Sequence, residues 1–353
     1  MRATNWGTVA QFSYGRSLPA DAKRHGPSQI FGTNGPTGWT GVCMGTGPTV
    51  VIGRKGAYRG VHLARNAFWV IDTAFYMEPG PMIDPVWAYY CLKQYDINAM
   101  DAGSAIPSTR RQDLEALPLI LPDLATQTAI ADVLGALDDK IAANERMLEL
   151  NLRLRSAIFD SLPKPLLVPM SDLARFVNGR NFTKDATGCG RPVIRIAELN
   201  NGITASTVWN EVPAPDDNVG RAGDILFAWS GSLTVTRWSG AEGLVNQHIF
   251  KVLTNGLPDW VVYHVLLHKL TDYKSIAADK ATTMGHIQRG HLDEPVPTPT
   301  REEVARIDGS MSALWSAELS LRIENSRLAA TRDALLPELM SGRLTVSSVL
   351  EDA

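Results

Sequence analysis

Side chains suited to gripping a polyanion gather in a few short stretches of this chain. In GRKGAYRG (Gly53–Gly60), Arg54, Lys55, Tyr58 and Arg59 sit between glycines after an apolar run. Cations beside an aromatic suit phosphates and base edges. GSAIPSTRRQ (103–112) adds Ser104, Ser108, Thr109, Arg110 and Arg111, and its aligned counterpart ATTMGHIQRG (281–290) adds Thr282, Thr283, His286, Gln288 and Arg289. Around Trp229 the second counterpart of the glycine-flanked stretch offers Ser230, Ser232 and Arg237, although Trp229 and Trp238 suit a core equally well. A solvated hairpin tip accounts for residues 53–60 as well as binding does. The loops that mix small hydroxyls with arginine recur at the same place in two copies, which favours binding for them.

Catalytic spacings are missing. Gly53–Gly60 lacks the GxxxxGK[ST] spacing that wraps phosphates, and TGCGRP (187–192) has two glycines where a dinucleotide fingerprint needs three. There is no GxSxG, HExxH or EF-hand loop, and no [N/D]-P-P-[F/Y] stretch of an amino-methyltransferase. His264 and His268 stand four apart on an expected helix and could share a metal, but no third ligand accompanies them, so helix packing is the stronger reading. Cys43, Cys91 and Cys189 are widely spaced, without a CxxC pair, which argues against disulfide frameworks and zinc fingers.

The elements that must position these stretches begin with a rod. From residue 122 to 162 no internal proline occurs, and Ile130, Leu134, Leu137 and Ile141 recur on steps of three and four, the seam of a helix packed on a helix. At about 1.5 Å per residue such a helix is too long to hide in one small core. A partner follows 177 residues later, where Ile307, Met311, Leu314 and Leu321 keep the register. PLILP (118–122) and PVPTP (295–299) precede the two seams at the same offset. Asn144 and Asn325 fall on the two seams, where a buried polar pair would fix register.

The repeat extends beyond the rods. WGTVAQFSYGRSL (Trp6–Leu18) matches MSDLARFVNGRNF (Met170–Phe182), placing Gly15 on Gly179 and Arg16 on Arg180. Pro85 and Trp87 match Pro258 and Trp260, each opening an apolar helical run. TVVIGRKG and DILFAWSG, then FWVIDTAFYM and GLVNQHIFKV, read as paired strands bounded by turns. The chain is predicted to be α+β: two similar globular domains joined by two long antiparallel helices as a coiled-coil spacer, with an internal pseudo-twofold repeat. The expected boundaries are 1–121 and 163–299 for the domains, 122–162 and 300–343 for the spacer helices, and 344–353 for a tail. Three prolines in LPKPLLVP (162–169) stop the first rod.

With 44% hydrophobic and 20% charged residues in 353, the composition is that of a globular protein. No apolar run is long enough to span a bilayer and the N-terminus lacks an apolar signal core, so a cytoplasmic protein without membrane contact is expected. The net charge of −3 argues weakly against a free-standing nucleic-acid binder, yet the first 122 residues carry 11 Lys and Arg against 8 Asp and Glu.

On PLILPDLATQTAIADVLGALDDKI (118–141), GSAIPSTRRQDL (103–114), GRAGDILFAWSG (220–231) and LLPELMSGRL (335–344), the whole chain resembles the DNA-specificity subunit of type I restriction-modification systems. The family's usual Glu-Gln pair at the rod start is replaced by Thr126-Gln127 and Glu303-Val304. The resemblance implies two target-recognition domains, each reading one half of a split double-stranded DNA sequence across a two-helix spacer. It implies a chain that is not itself an enzyme, holds no metal or cofactor, and directs two methyltransferase subunits, which carry S-adenosylmethionine, and an ATP-driven restriction subunit. A two-ended protein-binding scaffold without DNA function would explain the rods and the repeat as well, and the charge somewhat better.

Overall fold

The computed structural model describes residues 2–22, 25–100, 106–279 and 286–351. Its contacts divide into two units, residues 1–140 with 328–353, and residues 141–327.

In the first unit Arg2–Asn5 pairs antiparallel with Pro118–Leu121. Asn5 then caps a single helical turn, its side chain accepting the Thr8 N–H at 3.0 Å, and the chain enters Ala10–Tyr14. An antiparallel sheet follows in the order Ala10–Tyr14, Ala74–Pro79, Thr49–Gly53, Val61–Ala64. A second sheet runs Gly35–Thr40, Ser28–Gly32, Ala67–Val70, Gly45–Thr46, with its central pair parallel. The helix Pro85–Leu92, capped by Asp84 and started by proline at its first position, buries Trp87, Tyr90 and Leu92 against Trp6, Phe12 and Phe75. Ile130, Ala131 and Leu134 from the first long helix and Leu336 and Leu339 from the second close this core.

The second unit repeats the plan. Leu166–Pro169 pairs with Pro295–Thr298, the turn Met170–Leu173 leads into Ala174–Asn178, and the sheet order is Ala174–Asn178, Ile249–Thr254, Ile225–Ala228, Thr234–Arg237. The second sheet is Trp209–Asn210, Arg191–Ile194, Gly243–Val245, Val219–Gly220, again with a parallel central pair. The apolar helix here is Asp259–Asp279, 21 residues against 8 in the first unit. It packs Trp260, Leu266 and Tyr273 on Phe227, Phe159, Met311 and Trp315.

Two details depart from expectation. PLIL and PVPT, read from sequence only as the punctuation before each rod, are strands, and LLVP is the partner of one of them rather than a bare helix stop. Proline is tolerated because each ladder has two strands only, so both are edges with one row of N–H groups unpaired.

The long helices span Leu124–Ser161 and Arg301–Ser341. Asp123 and Thr300 cap them, accepting the N–H of Thr126 at 2.8 Å and of Glu303 at 3.3 Å. Within each unit their segments run antiparallel. Arg332 donates to Asp138 in the first, while Asn144 meets Asn325 at 2.9 Å and Asn151 meets the Leu314 carbonyl at 3.0 Å in the second.

The seam itself is a correction to the sequence pattern. Ile130, Leu134 and Met311 are buried as expected, but Leu137, Ile141, Ile307, Leu314 and Leu321 are only half-buried. The central buried positions are polar: Asn144, Asn151, Arg155 and Glu318. Arg155 and Glu318 are 0% and 1% exposed and lie 3.0 Å apart. Trp315 stands between two guanidinium groups, with Arg155 4.8 Å and Arg237 4.1 Å from its ring centre. Burial pulls the pKa of both arginines down, and the Glu318 carboxylate pulls it back up.

Candidate nucleic-acid interface

Each unit builds one edge where the first strand of the repeat, a strand-to-strand turn and the glycine-flanked loop meet. In the first unit the Gly15 N–H donates to the Ala74 carbonyl at 3.0 Å and that of Arg16 to Val70 at 2.8 Å. Arg54 N–H donates to Thr73, and Thr109 N–H donates back to the Arg54 carbonyl. In the second unit Gly179 donates to Ile249 at 2.9 Å, Arg180 to Val245 at 3.1 Å, Trp229 to His248, and Ile287 to Trp229. Lys55 bridges Ser108 in one, Ser230 bridges His286 in the other. These main-chain bonds of the frame therefore recur at matching positions in both units.

The glycines are required by close approach. A Cβ on Gly15 would lie 2.0 Å from the Ile71 carbonyl oxygen, and one on Gly179 would lie 2.1 Å from that of Asn246. Arg16 and Arg180, the next residues, are exposed.

Of the residues singled out from sequence, several stand on these edges. Arg54 lies over the Tyr14 ring at 4.8 Å and donates to the Asp72 carbonyl, and Lys55 is 3.8 Å from the Asp72 carboxylate. Tyr58 is 79% exposed. Arg110 and Arg111 are paired with Asp113 and Glu115 on the helical turn they begin. Ser108 sits beside Lys55, Ser232 is exposed, and so are His286, Gln288 and Arg289. Ser104, Thr282 and Thr283 lie outside the described residues.

Four others are corrected to structural roles. Arg59 is 3% exposed and pegs its loop to Asn98, donating through Nη2 to the Asn98 carbonyl while its backbone N–H meets Asn98 Oδ1. Arg237, 8% exposed, donates to the Trp315 carbonyl, and Trp238 is core. Thr109 and Ser230 are buried where the paired loops meet. Each has a partner far away in sequence, which glycine-flanked basic stretches do not disclose.

The histidine pair is taken up by packing. His264 stacks on Phe159 and its Nδ1–H donates to the Trp260 carbonyl at 2.7 Å, with burial pushing its pKa down to about 4. His268 meets Asp160 at 2.7 Å. Among the described residues no three His, Cys, Asp or Glu side chains are grouped to hold a metal, and no helix is long and apolar enough to cross a membrane.

Residues 46–151, which hold the glycine-flanked loop, its turn, the hydroxyl–Arg loop and the start of the first long helix, match the family described as type I restriction modification DNA specificity domain. The match is to this segment of the 353 residues. A relative, the specificity subunit of the EcoprrI type I restriction enzyme of Escherichia coli, is 30% identical over 109 residues. That likeness spans 31% of this chain and 27% of the relative's length. A crystal structure of the S subunit of a type I restriction-modification system from M. genitalium covers 96% of this chain and 95% of its own, at 19% identity and a TM-score of 0.69, which shows a shared fold. The matched specificity domain lies wholly in the first half. The equivalent edge in the second half is identified by its hydrogen bonds.

The residues missed from sequence are Arg16 and Arg180 and the turns 71–73 and 246–248. The Gly-Arg repeat was the available signal, and it carried a structural match without revealing what the glycine touches.

Proposed function

We propose that this chain is the DNA-specificity subunit of a type I restriction-modification complex, reading a split double-stranded target with one domain per half. The duplicated main-chain frame carries this reading, because two equivalent edges with different exposed side chains suit two different short sequences. The family of residues 46–151 supplies the substrate class. Methyl transfer and cleavage then belong to partner subunits. S-adenosylmethionine is bound by the methyltransferase, present in two copies, and none by this chain.

The test is removal of the gene for this chain from its host, followed by sequencing of methylated bases. Methylation at one split sequence should disappear and return on complementation. Labelled methyl transfer by the purified chain without a partner, or an unchanged methylome, would overturn the proposal.

A further inference from the structure

The two frames are alike and their tips are not. The turn that Gly15 and Arg16 support reads Ile71-Asp72-Thr73, and the turn that Gly179 and Arg180 support reads Asn246-Gln247-His248. Asp72, Gln247 and His248 are exposed. Ile71 and Asn246 are anchored alike, their N–H groups donating to Phe31 and Ile194 of the second sheet. A frame held this tightly, with no room for a Cβ at either glycine, fixes a turn to within the tolerance that base-edge hydrogen bonds need.

We infer that Asp72 and Gln247 read base edges, one in each half of the target, and that Arg16 and Arg180 hold the adjoining phosphates. The inference rests on the DNA-reading function proposed above. The chemistry differs between the tips in a way that bases can use. A carboxylate accepts from the cytosine N4 amine, and a carboxamide pairs in two places with adenine. A carboxylate beside a polyanion is repelled unless a base amine and nearby cations offset it, and Lys55 and Arg54 lie against this turn.

The residue after Gly53 in one half and after Ala228 in the other supports its tip by different means. Arg54 donates to the Asp72 carbonyl at 3.2 Å, while the Trp229 ring packs 5.2 Å from that of His248 and its Nε1–H donates to Asn178 at 2.9 Å. His248 has φ of 75°, a left-handed conformation that a non-glycine residue keeps only where its surroundings insist. Arg54 and Trp229 are thus positioning residues for their turns.

The experiment is selection from a pool of randomised duplexes by the full chain, purified through a tag together with the subunits that accompany it from its host. Gln247→Ala should lose discrimination at one or two adjacent positions of one half, by about 5- to 150-fold. Asp72→Ala should do so in the other half only. Gln247→Glu should change the selected base there, from adenine towards cytosine. Arg180→Ala should weaken all sequences alike and lower the slope of log affinity against log salt by about 1. Variants folded by near-ultraviolet circular dichroism that select the wild-type target with wild-type discrimination overturn the inference alone. A wild-type complex that selects no split sequence overturns the DNA-reading function and the inference with it.

Discussion

Both units join their long-helix segments to their own globular part through a tyrosine and an arginine at matching positions, but the surroundings differ. In the first unit Tyr90 and Arg332 both donate to Asp138 at 2.6 Å, in a site about one-fifth exposed at the ion pair. In the second, Tyr263 and Arg155 flank Trp315, and the carboxylate has moved three positions along the helix to Glu318, where it is buried with Arg155 and within 3.9 Å of Arg237. The repeat has conserved a place for a cation and varied what neutralises it. A pair with this much solvent access tolerates loss of one partner because water can replace it. A dry cluster does not, since Arg155 Nε and Nη1 already lack protein partners and the carboxylate carries most of the compensation.

The largest expected effect follows from that contrast. Glu318→Gln should destabilise the second unit by about 3–5 kcal/mol, because two buried guanidinium groups lose their counter-charge. Asp138→Asn should cost the first unit roughly 1–2 kcal/mol. Denaturant unfolding of each variant checks this, and equal costs would break the comparison.

Acid separates the units next. His264 occupies the position that Cys91 holds in the first unit. Its folded pKa of about 4 lies below the unfolded 6.5, so only the unfolded chain takes up a proton between these values. Stability is therefore lost as pH falls from 6.5 to 4, by about 3 kcal/mol in all. His264→Leu should flatten that slope in unfolding measured across this range. Cys91, whose thiol burial pushes up to about 12 from 9, makes the opposite contribution, with stability lost as pH rises above 9.

The close glycines should be equivalent. Gly15→Ala and Gly179→Ala each force a Cβ into a carbonyl oxygen and should cost about 1–3 kcal/mol in thermal or denaturant unfolding. A neutral result in one domain would show that its frame can yield.

Smallest are the surface charges. Arg289→Ala should lower the salt dependence of DNA binding by about one phosphate, whereas Arg110→Ala and Arg111→Ala should do less, since Asp113 and Glu115 already claim part of their charge. A full unit lost at Arg110 or Arg111 would show that DNA displaces the carboxylates.

Much of this was legible in the chain. Rods, strand pairs and repeat follow from periodicity and punctuation, which are local. The two-stranded ladders did not, because Arg2–Asn5 pairs with residues more than a hundred positions away and carries no apolar alternation. The polar centre of the seam was hidden for a similar reason: leucines on steps of three and four match a seam, yet Arg155 wins a buried place through Glu318, Tyr263 and Trp315 from other elements. At the interface the loops were legible by composition. Which of their side chains turn inward depended on Asn98 for Arg59 and on Trp315 for Arg237.

The central claim is that each half reads its own part of a split target. Exchanging residues 1–117 for the aligned segment of a related specificity subunit tests it most directly, with the methylated sequence read out in the host. One half of the target should change and the other should stay. A change in both halves together, or in neither, would contradict the account.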